Sequence, residues 1–341
     1  MPYLYEQPSP SCLIPLLRQH LPHSLPTFST LQTPGKPLKV YSTFPATAKV
    51  SEKEAHVAEP WIVLIDAGNQ FRFYCSELSP QETRTSRGST KRNDVEGDRE
   101  IQETEAEKLL EKVIEEVMLR ASKEKREIVR IGAVPDRWTR AVENVTGIEC
   151  ISASRIWCDP SWYISGAASS TPAAETAVAA AEEDLSIPEG FEFRDAREED
   201  IPVILSTSEV PHLPSYLSTR LSHTSCLFSL RSPSPSSSSS PSSPSSAVLV
   251  GHVTTHRDGS LGTLYVNPSY RRLGLARLVL RHRLSKMRQE TEEKVGYCYV
   301  HRENEASRAV MESIGWRESE GNVSWDIVNV EEWENRRELR N

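Results

Sequence analysis

The sequence predicts an α+β (mixed α/β) protein built as two domains. Three observations lead there. The chain has 341 residues, enough for two domains of ordinary size. Short runs of β-branched and aromatic residues alternate with amphipathic helical patterns. Between Ser165 and Ser186 the composition shifts to Ala, Ser, Thr, Pro and Glu, which marks a boundary between two halves that can build cores. The expected organisation is therefore a domain over 1–164, a linker over 165–187 and a domain over 188–341.

The first half opens with a predicted short helix, Cys12–Leu21. Leu13, Leu16, Leu17 and Leu21 fall near helical spacing, and Pro22 ends it. Leu38–Phe44 and Trp61–Ile65 read as strands. Gln70–Cys75 follows across the turn residues Gly68 and Asn69, so this last pair reads as a β-hairpin. Ser79–Glu100 is polar and charged and reads as a surface insertion. Glu103–Lys123 is a strong helix, with Ala106, Leu110, Val113, Val117 and Ala121 on one stripe. Its pattern is short for a coiled coil, so packing on a sheet is expected. Ile128–Val134 reads as a strand and Trp138–Val145 as a short helix.

In the second half, Ser225–Leu230 and Ala247–Thr255 are strand candidates on either side of Ser232–Ser246, a tract of almost pure Ser and Pro. That tract reads as a long hairpin loop, because closure entropy grows only logarithmically with loop length. A strand at Leu261–Val266 then runs into Asn267-Pro268 and Tyr270-Arg271-Arg272-Leu273-Gly274-Leu275-Ala276, which opens a helix. Ala276, Leu280, Leu284 and Met287 form its apolar stripe. Such a helix start suits an anion. Its first amides lack intrahelical partners, and the macrodipole favours negative charge. Gly274 and Ala276 are small enough for a pyrophosphate to approach, and Arg271 and Arg272 add charge there. Val295–Val300 reads as the next strand. It leads to Asn304 and Ser307, which share one face of a helix start, and to Gly315, which suits a helix C-cap.

The bulk numbers narrow the function classes. A formal charge of −8 argues against a general nucleic-acid binder. No apolar run approaches the ~20 residues of a membrane span, and no basic amphipathic stretch invites a membrane surface. The six cysteines form no close pair and no zinc-like spacing, so no metal is expected. Scattered thiols suit a reducing compartment, and a cytoplasmic location is expected. The N-terminus lacks the apolar core of a signal peptide, and its scarcity of acids leaves a mitochondrial presequence open.

The order of strand, Arg-x-x-Gly-x-Ala turn, helix, strand, polar helix start and Gly-aromatic resembles the GNAT acyltransferase superfamily. It is most similar to the glycine N-acyltransferase-like branch, through Pro268, Tyr270 and Arg271 and through Asn304-Glu305-Ala306. Leu21-Pro22-His23-Ser24-Leu25 resembles the entry to that branch's N-terminal domain, and Trp61–Asp66 resembles its apolar strand. The resemblance implies a GNAT-type central mixed sheet flanked by helices, preceded by a second, degenerate GNAT-like domain. It implies acetyl-CoA or another acyl-CoA as co-substrate. Leu264, Tyr265 and Val266 would pair with pantetheine. Arg271, Arg272, Leu273, Gly274, Leu275 and Ala276 would hold the pyrophosphate, and Asn304 and Ser307 would meet the pantetheine arm.

Two positions depart from the family. Ser260 falls where the glycine N-acyltransferases place a glutamate base, and Met311 where many relatives place a tyrosine acid. Ser260, Tyr299 and His301 are the candidate catalytic residues. Tyr297 shares a face with Tyr299, and His252 and His256 are further possible bases. The expected function is transfer of an acyl group to the amine of a small molecule, an amino acid among the options. A protein N-acetyltransferase and a non-catalytic CoA-binding module are the alternatives.

Overall fold

The computed structural model describes residues 4–32, 38–45, 60–68, 70–76, 104–159, 186–230, 247–290, 295–319 and 321–340. The expected insertion at 79–100, the loop at 232–246 and the linker up to residue 185 lie outside the described residues. The chain forms two compact units. One comprises Met1–Ser154 with Gly321–Asn341, and the other Arg155–Glu320.

The first unit begins with β1 (Tyr5–Glu6), a 3-10 turn over Pro10–Leu13, α1 (Ile14–Arg18) and α2 (Leu25–Gln32). The α-helical part is shorter than the leucine spacing predicts. Pro15 lacks an N–H and fits only a helix's first turn, so α1 starts at Ile14. Strands β2 (Lys39–Ser42), β3 (Ile62–Asp66) and β4 (Gln70–Cys75) follow as an antiparallel meander with β1, and β3–β4 is the expected hairpin. Helix α3 (Glu105–Lys123) buries Ala106, Leu110, Val113, Val117 and Ala121, the predicted stripe. It leads to β5 (Ile128–Pro135), parallel to β4, and α4 (Asp136–Thr146), which stops at Gly147 with φ 68°. Ile62, Leu64, Phe71, Leu110, Val117, Val129 and Trp138 share one core.

The second unit contains β6 (Ser154–Cys158), β7 (Phe191–Asp195), α5 (Ile201–Thr207), α6 (Pro214–Ser218), β8 (Thr224–Ser229) and β9 (Val248–Thr255). It continues with β10 (Leu261–Val266), α7 (Leu275–Glu290), β11 (Tyr297–His301), α8 (Glu305–Ser313) and β12 (Arg317–Glu318). Strands β7, β8, β9 and β10 form an antiparallel meander, and β11 is parallel to β10. The sheet order is β7–β8–β9–β10–β11–β6, with β12 antiparallel on β6. Leu227, Val250, Val253, Val279, Leu280 and Trp316 share the core that joins α7 to the sheet.

The chain then returns to the first unit. β13 (Val323–Asn329) pairs antiparallel with β5 from Val323↔Pro135 to Asn329↔Ile128, and α9 (Val330–Arg340) packs Trp333 into that unit's core. A linear split assigns 155–164 to the first domain and 321–341 to the second. The contacts assign Arg155 onward, and Gly321 onward, the other way. The cause is β-pairing between segments far apart in the chain, which leaves no local mark in sequence.

Both units run through the same topology: four antiparallel strands, a helix, a strand parallel to the fourth, and a second helix. The fold class is the expected one, a mixed sheet flanked by helices, built twice.

Candidate active site

The turn from β10 into α7 is built to present backbone amides. Asn267 caps a 3-10 turn, Pro268–Tyr270, by accepting Ser269 N at 3.0 Å. Arg272 and Gly274 then take positive φ, 65° and 75°, with Leu273 between them. Alternation of this kind curls successive N–H groups towards one concave side, an anion-binding arrangement. The first bond of α7 runs from Leu278 N to Gly274 O at 3.1 Å, so the amides of Leu275, Ala276 and Arg277 have no partner within the helix. A Cβ added at Gly274 would meet nothing within 4 Å, so the turn opens to solvent on that side. Arg271, Arg272, Leu273 and Gly274 are exposed, and Arg271 Nε donates to Val266 O at 3.2 Å. Anions at this helix start gain from the dipole and the two guanidinium groups together.

The strand before the turn leaves its neighbour. β10 pairs with β11 at Leu261↔Cys298. Past that point it keeps register on its β9 side, through Tyr265↔His252 and Val266↔Gly251. A bulge lies between Gly262 and Tyr265, with Thr263 at φ 51°. Bulges bend a strand and end its pairing. Leu264, Tyr265 and Val266 are half-buried along the edge so exposed. An extended, amide-bearing ligand arm fits that edge by adding hydrogen bonds to it.

Asn304 and Ser307 meet at the start of α8, where Asn304 Oδ1 accepts Ser307 N at 3.0 Å. The helix ends in a Schellman motif: Gly315 N bonds Glu312 O at 2.9 Å, and Trp316 N bonds Met311 O at 3.0 Å. Gly315 has φ 81°, as its C-cap assignment requires. Met311 is buried and packs with Trp316 in the core, which explains an apolar side chain at that position.

The candidate acids and bases are placed very differently. Ser260 is buried, and its Oγ donates to Asp258 Oδ1 at 2.6 Å, closing a tight turn. Tyr297 is fully buried and its hydroxyl donates to Asp258 O at 2.8 Å, a packing role. Tyr299 is half-buried, its ring edge-on to Tyr297 at 5.6 Å. His301 is exposed, and its Nδ1 accepts Glu303 N at 3.3 Å. His252 is fully buried with Nε2 2.9 Å from Thr207 Oγ1, and burial pushes its imidazole down to about 4. It is therefore neutral and weakly basic near pH 7. His256 is half-buried, and its Nδ1 lies 2.7 Å from Tyr216 Oη. A shallow depression of about 510 Å³ beside α8 is lined by Glu209, His301, Glu303, Asn304, Glu305 and Ala306. The carboxylates of Glu209, Glu303 and Glu305 favour a cationic visitor there.

The matching helix start in the first unit is closed by its own side chains. Thr104 Oγ1 accepts Glu107 N at 3.1 Å, and Glu107 Oε2 accepts Thr104 N at 2.7 Å. Glu105 and Glu107 put negative charge where α7 has Arg271 and Arg272 nearby. That helix start repels a pyrophosphate.

Residues 244–316, which span β9 through α8, match the family model described as Acetyltransferase (GNAT) family. The match lies inside the second unit, so that part of the chain is similar to the GNAT acetyltransferases. A solved Drosophila protein is similar over 96% of this chain and 98% of its own, at 14% identity and TM-score 0.56. It shows that the two-unit fold is shared along nearly the whole chain. A tandem GNAT protein from the clavulanic acid biosynthesis pathway covers 96% of this chain and 98% of its own, at 12% identity and TM-score 0.44. A GCN5-related N-acetyltransferase from Sphaerobacter thermophilus covers 97% and 96%, at 12% identity and TM-score 0.43. No curated protein matches the chain. The likeness to the glycine N-acyltransferase-like branch therefore rests on the motif residues alone.

Proposed function

We propose that the second unit is an acyl-CoA-dependent N-acyltransferase acting on the amine of a small molecule. One observation carries this reading. A strand edge opened by a bulge runs straight into a turn of upturned amides at an arginine-flanked helix start. A pantetheine arm and a pyrophosphate need those two features, joined in that order. Arg271, Arg272, Leu273, Gly274, Leu275 and Ala276 would hold the pyrophosphate. The backbone of Leu264, Tyr265 and Val266 would hold the pantetheine amides, with Asn304 Nδ2 and Ser307 beside them. When bound, the thioester supplies an activated acyl carbon, and the protein's part is to place an amine against it and remove a proton.

The self-capped start of α3 supports a single acyl-CoA site per chain, with the first unit a degenerate copy. The acidic depression beside α8 supports an acceptor that arrives as a cation. Amino acids, polyamines and basic peptides all meet that condition, and a small amine suits the shallow opening. Six free thiols suit a reducing compartment, and cytoplasm is the simplest one. Among the described residues no helix is long and apolar enough to cross a membrane. Thioester cleavage of acetyl-CoA, measured with glycine, spermidine and a lysine-rich peptide, tests the proposal. Amine-dependent release of free thiol supports it. Binding without turnover on any amine favours a CoA-binding module instead, and turnover on the peptide alone favours a protein acetyltransferase.

A further inference from the structure

We propose that His256 sets the length of the acyl group. Its ring, seated on Gly262, closes the end of the strand edge and confines the donor to acetyl and similarly short acyl groups. The inference deepens the acyltransferase reading above and rests on it.

The direction of the arm places the acyl group. A pantetheine arm that starts at the turn before α7 enters β10 from its C-terminal end. With its amides on Val266, Tyr265 and Leu264, the positions that follow for sulfur and acyl carbon are Thr263 and Gly262. Thr263 has φ 51° and belongs to the bulge at which β10 leaves β11. Any chain attached to the sulfur has to continue past this point.

Three walls meet it there. In the plane of the sheet, β10 and β11 are paired at Leu261↔Cys298, which ends the open edge. On the α7 face, Leu261, Cys298 and Val300 belong to the packed core with Val279 and Leu280. Successive residues of a strand face opposite ways, so Gly262 faces the side away from that core. There the imidazole of His256 covers it. A Cβ built on Gly262 would overlap Nε2 and lie 2.7 Å from Cδ2, so the ring occupies the room that a side chain on β10 would take. A glycine inside a strand marks such a close approach. The first two walls are backbone pairing and packed core, and the third is one side chain.

That side chain is held in place. Its Nδ1 lies 2.7 Å from Tyr216 Oη, and the rings of His212 and Tyr216 lie 5.4 and 6.0 Å away. Its backbone is fixed as well. His256 N donates to Ser260 O at 2.7 Å, and Gly259 N donates to His256 O at 3.0 Å, so the Asp258–Ser260 turn closes behind it. Arg220 Nε and Nη2 donate to the preceding carbonyl, Thr255 O, at 2.9 and 2.7 Å. A longer acyl chain would have to drive the ring off Tyr216 or turn back out of the edge. In the second case its methylenes stay in water and lose the burial that would reward their length. A clash built against the longer donor is how a site of this kind discriminates.

His256→Ala and His256→Gln test this against wild type, since alanine removes the bulk and glutamine keeps most of it. The probes are CoA, acetyl-CoA, butyryl-CoA and octanoyl-CoA. Affinity is read by calorimetry, and thiol release is read with the amine panel. Wild type should bind acetyl-CoA at least about 10-fold more tightly than octanoyl-CoA. H256A should keep its affinity for acetyl-CoA and bind octanoyl-CoA at least about 10-fold more tightly than wild type does. H256Q should keep the wild-type preference, and thiol release should follow the same order. Wild type that binds and turns over octanoyl-CoA as well as acetyl-CoA overturns the assignment, and that comparison holds even if H256A fails to fold. A folded H256A that still rejects octanoyl-CoA overturns it too, as does an H256Q that accepts it as well as H256A. Wild type that binds CoA with no regard to chain length defeats this inference alone. Wild type that binds none of the four probes defeats the acyltransferase reading and this inference together.

Discussion

Asn304 Oδ1 accepts the backbone N–H of Ser307 at 3.0 Å, so a side chain proposed to meet pantetheine is also the N-cap of α8. The two roles use different atoms and can be separated. Asn304→Asp keeps the capping oxygen and removes the Nδ2 donor. It should leave urea stability near wild type and weaken acetyl-CoA by about 2- to 10-fold, one hydrogen bond's worth. Asn304→Ala removes both, and should also lose about 1 kcal/mol of stability. Equal acetyl-CoA affinity in wild type and N304D would assign Asn304 to capping alone.

A second prediction concerns the entry to the second unit. Arg194 Nη1 and Nη2 donate to Asp200 Oδ2 and Oδ1 at 2.6 and 3.0 Å, while the guanidinium lies 4.0 Å over the Phe228 ring. Asp200 also accepts Arg197 N at 2.8 Å and is buried. Asp200→Ala leaves a cation and an amide short of partners, and should destabilise the unit by about 2–4 kcal/mol in urea unfolding. A loss under about 0.5 kcal/mol would mean the pair behaves as an exposed one.

Stability should depend on pH in a defined window. Burial pushes both His252 and His282 down to about 4, below the ordinary histidine value near 6.5. Lys286 adds to the shift at His282. Between those values the unfolded chain binds more protons than the folded one, so stability falls as pH drops from about 6.5 to about 4. The full contribution of these histidines is present above about 6.5. His282→Gln should flatten the dependence measured by denaturation across that window. An unchanged slope in the variant would show that His282 titrates normally when folded.

The strand–turn–helix around Gly274 is legible in sequence because its signals are local. Gly274, Ala276 and the paired arginines sit within six residues, from Arg271 to Ala276, and the structure adds that this glycine has a positive φ. The β3–β4 hairpin and the α3 stripe are legible for the same reason. The return of β13 to β5 is not, since its partners are nearly two hundred residues apart, as in Val323↔Pro135. Nor is the grouping of His212, Tyr216 and His256, which joins the segment around α6 to the end of β9 across the fold. The contact of His256 with Gly262 had one faint trace, a glycine inside a strand pattern, which signals a close approach by something.

The most direct measurement is calorimetric titration of acetyl-CoA into the wild type and into Gly274→Val. Gly274 has φ 75°, which a β-branched residue tolerates poorly, and its exposed position keeps the damage local to the turn. The wild type should bind one acetyl-CoA per chain, because the start of α3 is capped by Thr104 and Glu107 while that of α7 is open. The variant should stay folded and bind at least about 10-fold more weakly, as the pyrophosphate loses its amides. Equal affinity in the two proteins, or no heat of binding in the wild type, would contradict acyl-CoA recognition at this turn.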